Sequence, residues 1–302
     1  MQIYLPIAEL PLDVFMLLLL GAAGGFLAGM FGIGGGFLMT PFLIFMGVNP
    51  AVAVASSTNQ IIAASSSGFI AHLRRRNVDI KMAIYMLVGG LGGSYIGSVI
   101  FVALRKIGQL DLVISLCYVF FLGGIGAVML AESYRTIRAR NSGKPKPPEK
   151  ERNWQEGLPW KVDFPQSDKT ISLILPIGIG LLSGIIISIM GIGGGFLTIP
   201  AMIYILKMPT SLVIGTSLCQ MIITSASTTF LHAYYSQTVD IVLAMILLLG
   251  SVIGAQFGTK ASYKLPAENL RGLLALLVLG VAVRMAIELF IAPSNPFTIS
   301  PL

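Results

Sequence analysis

Apolar residues dominate ten stretches of the chain: about 12–31, 35–47, 51–73, 82–104 and 110–131, then about 171–190, 194–207, 211–234, 240–259 and 270–291. Several reach or exceed the roughly 20 residues that cross about 30 Å of hydrocarbon as a helix. The second stretch of each set of five is short, and thirteen helical residues rise only about 20 Å. A glycine-rich break precedes each short stretch. Gly32 to Pro41 reads GIGGGFLMTP, and Gly191 to Pro200 reads GIGGGFLTIP. The pattern predicts an all-α polytopic integral membrane protein of about ten membrane segments, with a broken or short helix after each glycine box. The opening MQIYLPIAELPLD lacks the basic start of a cleaved signal, so Leu12 onward reads as a retained span.

The two sets of five are related. The glycine boxes recur at a spacing of 159 residues, Gln60 and Gln220 at 160, and Asp79 and Asp240 at 161. His72 and His232, the two histidines of the chain, are also 160 apart. Small drifts of this kind are what loop insertions produce in a duplicated unit. Basic residues then suggest how the halves are oriented. Arg74, Arg75, Arg76 and Lys81 follow the third stretch, Lys260, Lys264 and Arg271 follow the ninth, and 132–169 carries nine basic residues. The positive-inside rule sends all three regions to the cytoplasm, which five crossings per half satisfy together. Two inverted-topology repeats are therefore expected, 1–131 and 170–302, joined by a cytoplasmic linker 132–169, with both termini outside. Arg105 and Lys106 fall on the outer side in this scheme.

Composition narrows the class. The chain is 55% hydrophobic and 11% charged, where a soluble domain carries about 25% charge. The linker mixes nine basic with six acidic residues and has no recognition module beside it, which speaks against nucleic acid as a partner. Cys117 and Cys219 both lie in apolar stretches, so no disulfide framework is suggested. No triad, general acid–base pair, metal cluster or nucleotide loop stands out, and neither a cofactor nor an enzymatic role is expected.

The candidate site comprises the two glycine boxes and the polar third stretch of each half. Gly34, Gly35 and Gly36, with Gly193, Gly194 and Gly195, lack side chains, so backbone N–H groups at the start of the following helix can face a small anion. Close helix packing is the competing account of the same glycines. Ser57, Thr58, Asn59 and Gln60, with Thr216, Ser217, Cys219 and Gln220, place neutral polar groups inside an apolar segment, which is costly unless they pair or line a path. Neutral donors suit a solute that must bind and then leave. His72 and His232 are candidates for proton coupling, with an interfacial structural role the simpler alternative. Gln256 is a candidate for lining the path. Arg284 and Glu288, four residues apart, either pair with each other or take part in coupling.

The doubled GIGGGF boxes, the polar Ser56–Gln60 and Thr216–Gln220 segments, the paired glycine seams and the long central loop together resemble the TauE/SafE family of sulfite exporters, over essentially the whole chain. That resemblance implies a secondary permease of the cytoplasmic (inner) membrane for sulfite, a sulfonate such as sulfoacetate, thiosulfate or a related small anion. An electrically negative interior favours passive export of such an anion, so uptake would need a coupled cation, with H⁺ the expected one. Members of the family have often been drawn with seven to nine spans. The rival readings are an anion channel, an organic-acid carrier and a non-transport structural or enzyme subunit. Oligomeric state is left open.

Overall fold

The computed structural model describes residues 2–141, 159–167, 169–262 and 267–290. For 132–141, 169, 210, 211, 262, 267–271, 274, 288 and 290 it describes the backbone alone. The chain opens with a hairpin, β1 (Gln2–Leu5) and β2 (Leu10–Asp13), in which Leu5 pairs with Leu10. There follow α1 (Val14–Phe31), α2 (Gly36–Phe45), α3 (Pro50–Arg74), α4 (Ile80–Ile107) and α5 (Leu110–Asn141). A second hairpin, β3 (Lys161–Phe164) and β4 (Lys169–Ser172), leads into α6 (Ile174–Met190) and α7 (Gly195–Tyr204). Next come α8 (Thr210–Leu231), which ends in a π-helical turn (His232–Ser236), α9 (Ile241–Ser262) and α10 (Ala267–Phe290).

The molecule is mostly helical, and among the described residues five helical stretches are long and apolar enough to cross a membrane: Val14–Phe31, Ile80–Ile107, Leu110–Ala131, Leu212–Ser236 and Ile241–Ala261. The all-α expectation is corrected by the two hairpins. They were missed because each strand has only four residues, too few for an alternating pattern to stand out. Parts of the expected linker 132–169 are regular structure: α5 runs on to Asn141, and β3 and the start of β4 lie at its end. Its middle, 142–158, lies outside the described residues.

Local chemistry sets the helix ends. Asp13 caps α1 through the N–H groups of Phe15 (2.8 Å) and Met16 (3.3 Å). Asn49 caps α3, with Pro50 in the first turn, where its missing N–H costs nothing. α1 and α6 end on glycines in the left-handed region, Gly32 and Gly191, each donating back one turn at 2.8 Å. The short helices α2 and α7 each carry an interior proline, Pro41 and Pro200, which removes one ladder hydrogen bond.

Small residues bring the helix axes together. Gly21, Gly25 and Gly29 of α1 lie against Leu247, Ser251 and Ala255 of α9, in rising order, so the two helices run parallel. Gly89, Gly93 and Gly97 of α4 meet Ile177, Leu181 and Ile185 of α6 in the same way. The first helix of each half thus packs on the fourth of the other. The central pair, α3 and α8, is antiparallel: Thr58 bonds Thr229 at 2.8 Å, whereas Gly68 lies against Leu218. α5 packs on α10.

The hairpins close opposite ends of this pair. Asp240, fully buried at the start of α9, accepts from Ile7 (2.9 Å) and Ala8 (3.2 Å) in the first hairpin turn and caps α9 through Leu243. Its counterpart Asp79 caps α4 through Met82 and accepts from the Ser167 hydroxyl in the second hairpin turn. Leu5, Leu17, Leu43 and Leu243 belong to the apolar cluster at one end, and Met82, Phe164, Met202 and Val213 to the cluster at the other.

Candidate functional site

The two glycine boxes cross in direct contact. A Cβ on Gly34 would stand 3.5 Å from Gly193 Cα, and one on Gly193 would stand 3.4 Å from Gly34 Cα. On Gly36 it would meet the Gly191 carbonyl at 2.3 Å, and on Gly195 the Ile33 Cα at 2.7 Å. Gly34 (φ 86°), Gly35 (φ 71°) and Gly193 (φ 79°) also hold backbone that side chains rarely allow. In backbone handedness the glycines of the boxes differ at one residue, since Gly194, the counterpart of Gly35, is right-handed with φ −56°. Phe37 and Phe196, the matched residues just after the boxes, stack with centroids 5.9 Å apart.

Most of the polar groups expected in the site are engaged within the protein. The Ser57 hydroxyl bonds Thr40 (2.7 Å) and lies 3.0 Å from the Val54 carbonyl and 3.4 Å from that of Gly191. Ser217 mirrors it on the carbonyls of Ile214 (2.9 Å) and Gly32 (3.5 Å). Thr58 donates to Ala55 and pairs with Thr229. Thr216 donates to Leu212 and accepts from the Asp79 N–H at 2.9 Å. Ser56 accepts from the Asp240 N–H at 3.1 Å. These hydroxyls tie each third helix to the opposite box or to a helix start. Ser57, Thr58, Thr216 and Ser217 each reach the carbonyl three or four residues back in their own helix, and packing adds their second contacts.

The glutamines behave differently. Gln60 is fully buried, and neither of its amide atoms has a hydrogen-bond partner. Gln220 is equally buried. Its Nε2 donates to Ser183 (2.9 Å) and Thr224 (3.1 Å), while its Oε1 has no partner. Each amide lies against the first helix of its own half, Gln60 beside Gly24 of α1 and Gln220 beside Ser183 of α6. Asn59 and Cys219 are half-buried at matched positions, and Asn59 reaches the Ala55 carbonyl only at 3.5 Å. Three fully buried hydroxyls without partners were not among the expected residues: Ser65 and its counterpart Ser225, 160 residues on, and Thr198 in α7. The repeat spacing alone could have drawn attention to Ser65 and Ser225.

The remaining candidates lie elsewhere. His232 is fully buried, with Nε2 2.9 Å from the Ser188 carbonyl, Nδ1 3.2 Å from the Ser236 hydroxyl and its ring edge-on to Phe101. That is a structural setting for the ring. His72 is buried with Nδ1 unpartnered, beside Gly215 of α8. Gln256 is exposed on the surface of α9. Arg284 stacks over the Phe45 ring at 4.1 Å. The side chain of Glu288 lies outside the described residues. Arg105 donates to the Ser236 carbonyl beside the start of α9.

Comparison with known proteins bears on the whole arrangement. A family model described as sulfite exporter TauE/SafE matches residues 17–285. A probable membrane transporter protein of Bacillus subtilis (strain 168), YjnA, is 27% identical over 266 residues, covering 87% of this chain and 96% of the relative. A probable membrane transporter protein of Xylella fastidiosa (strain 9a5c) is 28% identical over 277 residues, covering 89% and 94%. An Arabidopsis thaliana protein named sulfite exporter TauE/SafE family protein 3 is 28% identical over 115 residues, 36% of this chain and 24% of that protein. No solved structure shows a significant match. A match spanning both glycine boxes, both polar third helices and nearly all the helices between them leaves one assignment: the chain is a multi-pass membrane protein and belongs to the TauE/SafE sulfite exporter family of membrane transporters.

Proposed function

We propose that this transporter is a secondary permease that moves a small sulfur-containing anion, such as sulfite, a sulfonate or thiosulfate, by alternating access. The observation that carries the reading is the crossing of the two glycine boxes beside a fully buried Gln60 with no internal partner. Polar groups of that kind are retained where a ligand or water completes their bonding. The donors there are neutral. A lysine or arginine would hold an anion harder and slow its release.

The moving parts in this reading are two repeats of inverted topology, ten segments in all. Its support is the antiparallel packing of α3 against α8, its counterpart, and the matched hairpins pinned by Asp79 and Asp240 at opposite ends. We draw the first repeat over 1–131 and start the second at Lys161 rather than at residue 170, because β3 and β4 match β1 and β2. The linker, with Arg74–Arg76, is cytoplasmic in this scheme. Both termini and Arg105 face outward across the inner membrane. A negative interior favours passive export of an anion, and uptake draws on H⁺.

Purified protein in liposomes, loaded in turn with sulfite, sulfoacetate and thiosulfate, tests the reading with and without a pH gradient. Saturable flux of one of them, with counter-transport, is expected. Flux that never saturates identifies a channel. No flux of any of the three from folded protein overturns the sulfur-anion assignment.

A further inference from the structure

The halves share one backbone plan but differ around the matched glutamines. Applying the repeat spacings, Gln60 corresponds to Gln220, Gly24 to Ser183, Ile61 to Met221 and Ala64 to Thr224. In the second half all three neighbouring residues act as acceptors. Ser183 and Thr224 take the two N–H groups of Gln220 Nε2, at 2.9 and 3.1 Å. The Met221 sulfur accepts the Gly195 N–H at the start of α7, at 3.0 Å. In the first half none of the three can accept a hydrogen bond through its side chain: Gly24 has none, and those of Ile61 and Ala64 are hydrocarbon.

Gln60 is consequently left with both amide atoms unpartnered at zero exposure. Its Nε2 stands 3.1 Å from where Gly35 would carry a Cβ and 3.3 Å from where Gly24 would carry one. Gly35 caps the ten-residue helix α2 and offers its first N–H groups no side-chain acceptor. The amide therefore faces an uncapped helix N-terminus, where partial positive charge collects. One position adds a hydroxyl in the opposite sense. Ser251 stands where the first half has Gly90, which lies against Gln220, but the Ser251 hydroxyl donates to the Leu248 carbonyl at 2.9 Å.

We propose that the transporter binds its anion at one site, in the first half, on Gln60 Nε2 and the N-terminus of α2. The equivalent place in the second half is closed by Ser183, Met221 and Thr224 and serves as scaffold. This rests on the anion-permease reading above and makes the two halves chemically unequal despite their shared fold. The ligand chemistry is a small oxyanion whose oxygens accept from one amide and from backbone N–H groups, with no cationic side chain required.

Isothermal titration of the full-length protein in lipid nanodiscs, with sodium sulfite, thiosulfate and sulfoacetate in turn, tests this. One equivalent is expected. Gln60→Met removes the amide at similar length and should weaken binding by about tenfold or more. It deletes an unsatisfied buried group, so its melting temperature should hold or rise. Ala64→Ser supplies the hydroxyl that Thr224 provides in the other half and should also weaken binding. Thr224→Ala should stay within about twofold of the parent. Two equivalents in the parent, or unchanged binding by a folded Gln60→Met or Ala64→Ser, overturns the single-site assignment while leaving the permease reading intact. A parent that binds none of the three probes overturns the permease reading and the site with it.

Discussion

Adjacent glycines on α4 should respond in opposite ways to the same substitution. Gly93 lies in the seam with α6, and a Cβ there would stand 2.0 Å from the Leu181 carbonyl oxygen and 3.0 Å from its Cα. Ordinary contact begins near 3.4 Å, so Gly93→Ala is short by 1.4 Å (3.4 minus 2.0). The obstructing atoms are backbone and cannot rotate aside, so the two helices must separate along the seam. Overpacking of this kind costs about 1–3 kcal/mol, and close approach at small residues is what joins helices where lipid removes the hydrophobic drive between them. Gly92 is exposed, and a Cβ there meets nothing within 4 Å. Gly92→Ala should be neutral or stabilise the helix by up to about 1 kcal/mol. Denaturant unfolding of both variants in the same micelles, followed by circular dichroism, should separate them by about 1–4 kcal/mol. If Gly93→Ala proves as stable as Gly92→Ala, the seam is not a close backbone contact and the pairing of α4 with α6 is wrong.

Asp240→Ala should loosen the first hairpin, raising hydrogen exchange at Ile7 and Ala8 while exchange in β3 and β4 is unchanged; the loss of a cap and two buried acceptor contacts amounts to about 1–3 kcal/mol. Asp79→Ala should do the reverse, freeing the second hairpin at Ser167. Ser57→Ala removes the hydroxyl that joins α3 to Thr40 and the second box, and should cost about 1 kcal/mol in thermal stability. His232→Phe keeps a ring beside Phe101 but leaves the Ser188 carbonyl without its imidazole partner, for a loss of about 1–3 kcal/mol by the same measurement.

The helices and their breaks were legible in the sequence because both are written locally. Long apolar runs, the Asp13 and Asn49 caps and the Gly–Pro boxes act within a few residues of themselves, and the observed helices follow the expected stretches closely. The two hairpins were not legible, because Leu5 and Phe164 become core residues only through the helix ends that cover them. The repeat at 159 to 161 residues placed Gln60 and Gln220 as equals. Tertiary structure decided that they are not. Whether a buried polar group is satisfied depends on which atoms the chain brings within about 3 Å, and at Gln220 one of those atoms belongs to Thr224, one helical turn on, and the other to Ser183, 37 residues away. The same holds for Ser57 and Thr216, which a sequence presents as candidate ligand donors and the fold engages as ties between helices. Composition and periodicity determine which segments enter the membrane. The packing of those segments determines which polar groups remain open to a solute, because the partners that local bonds leave missing come from neighbours distant in sequence.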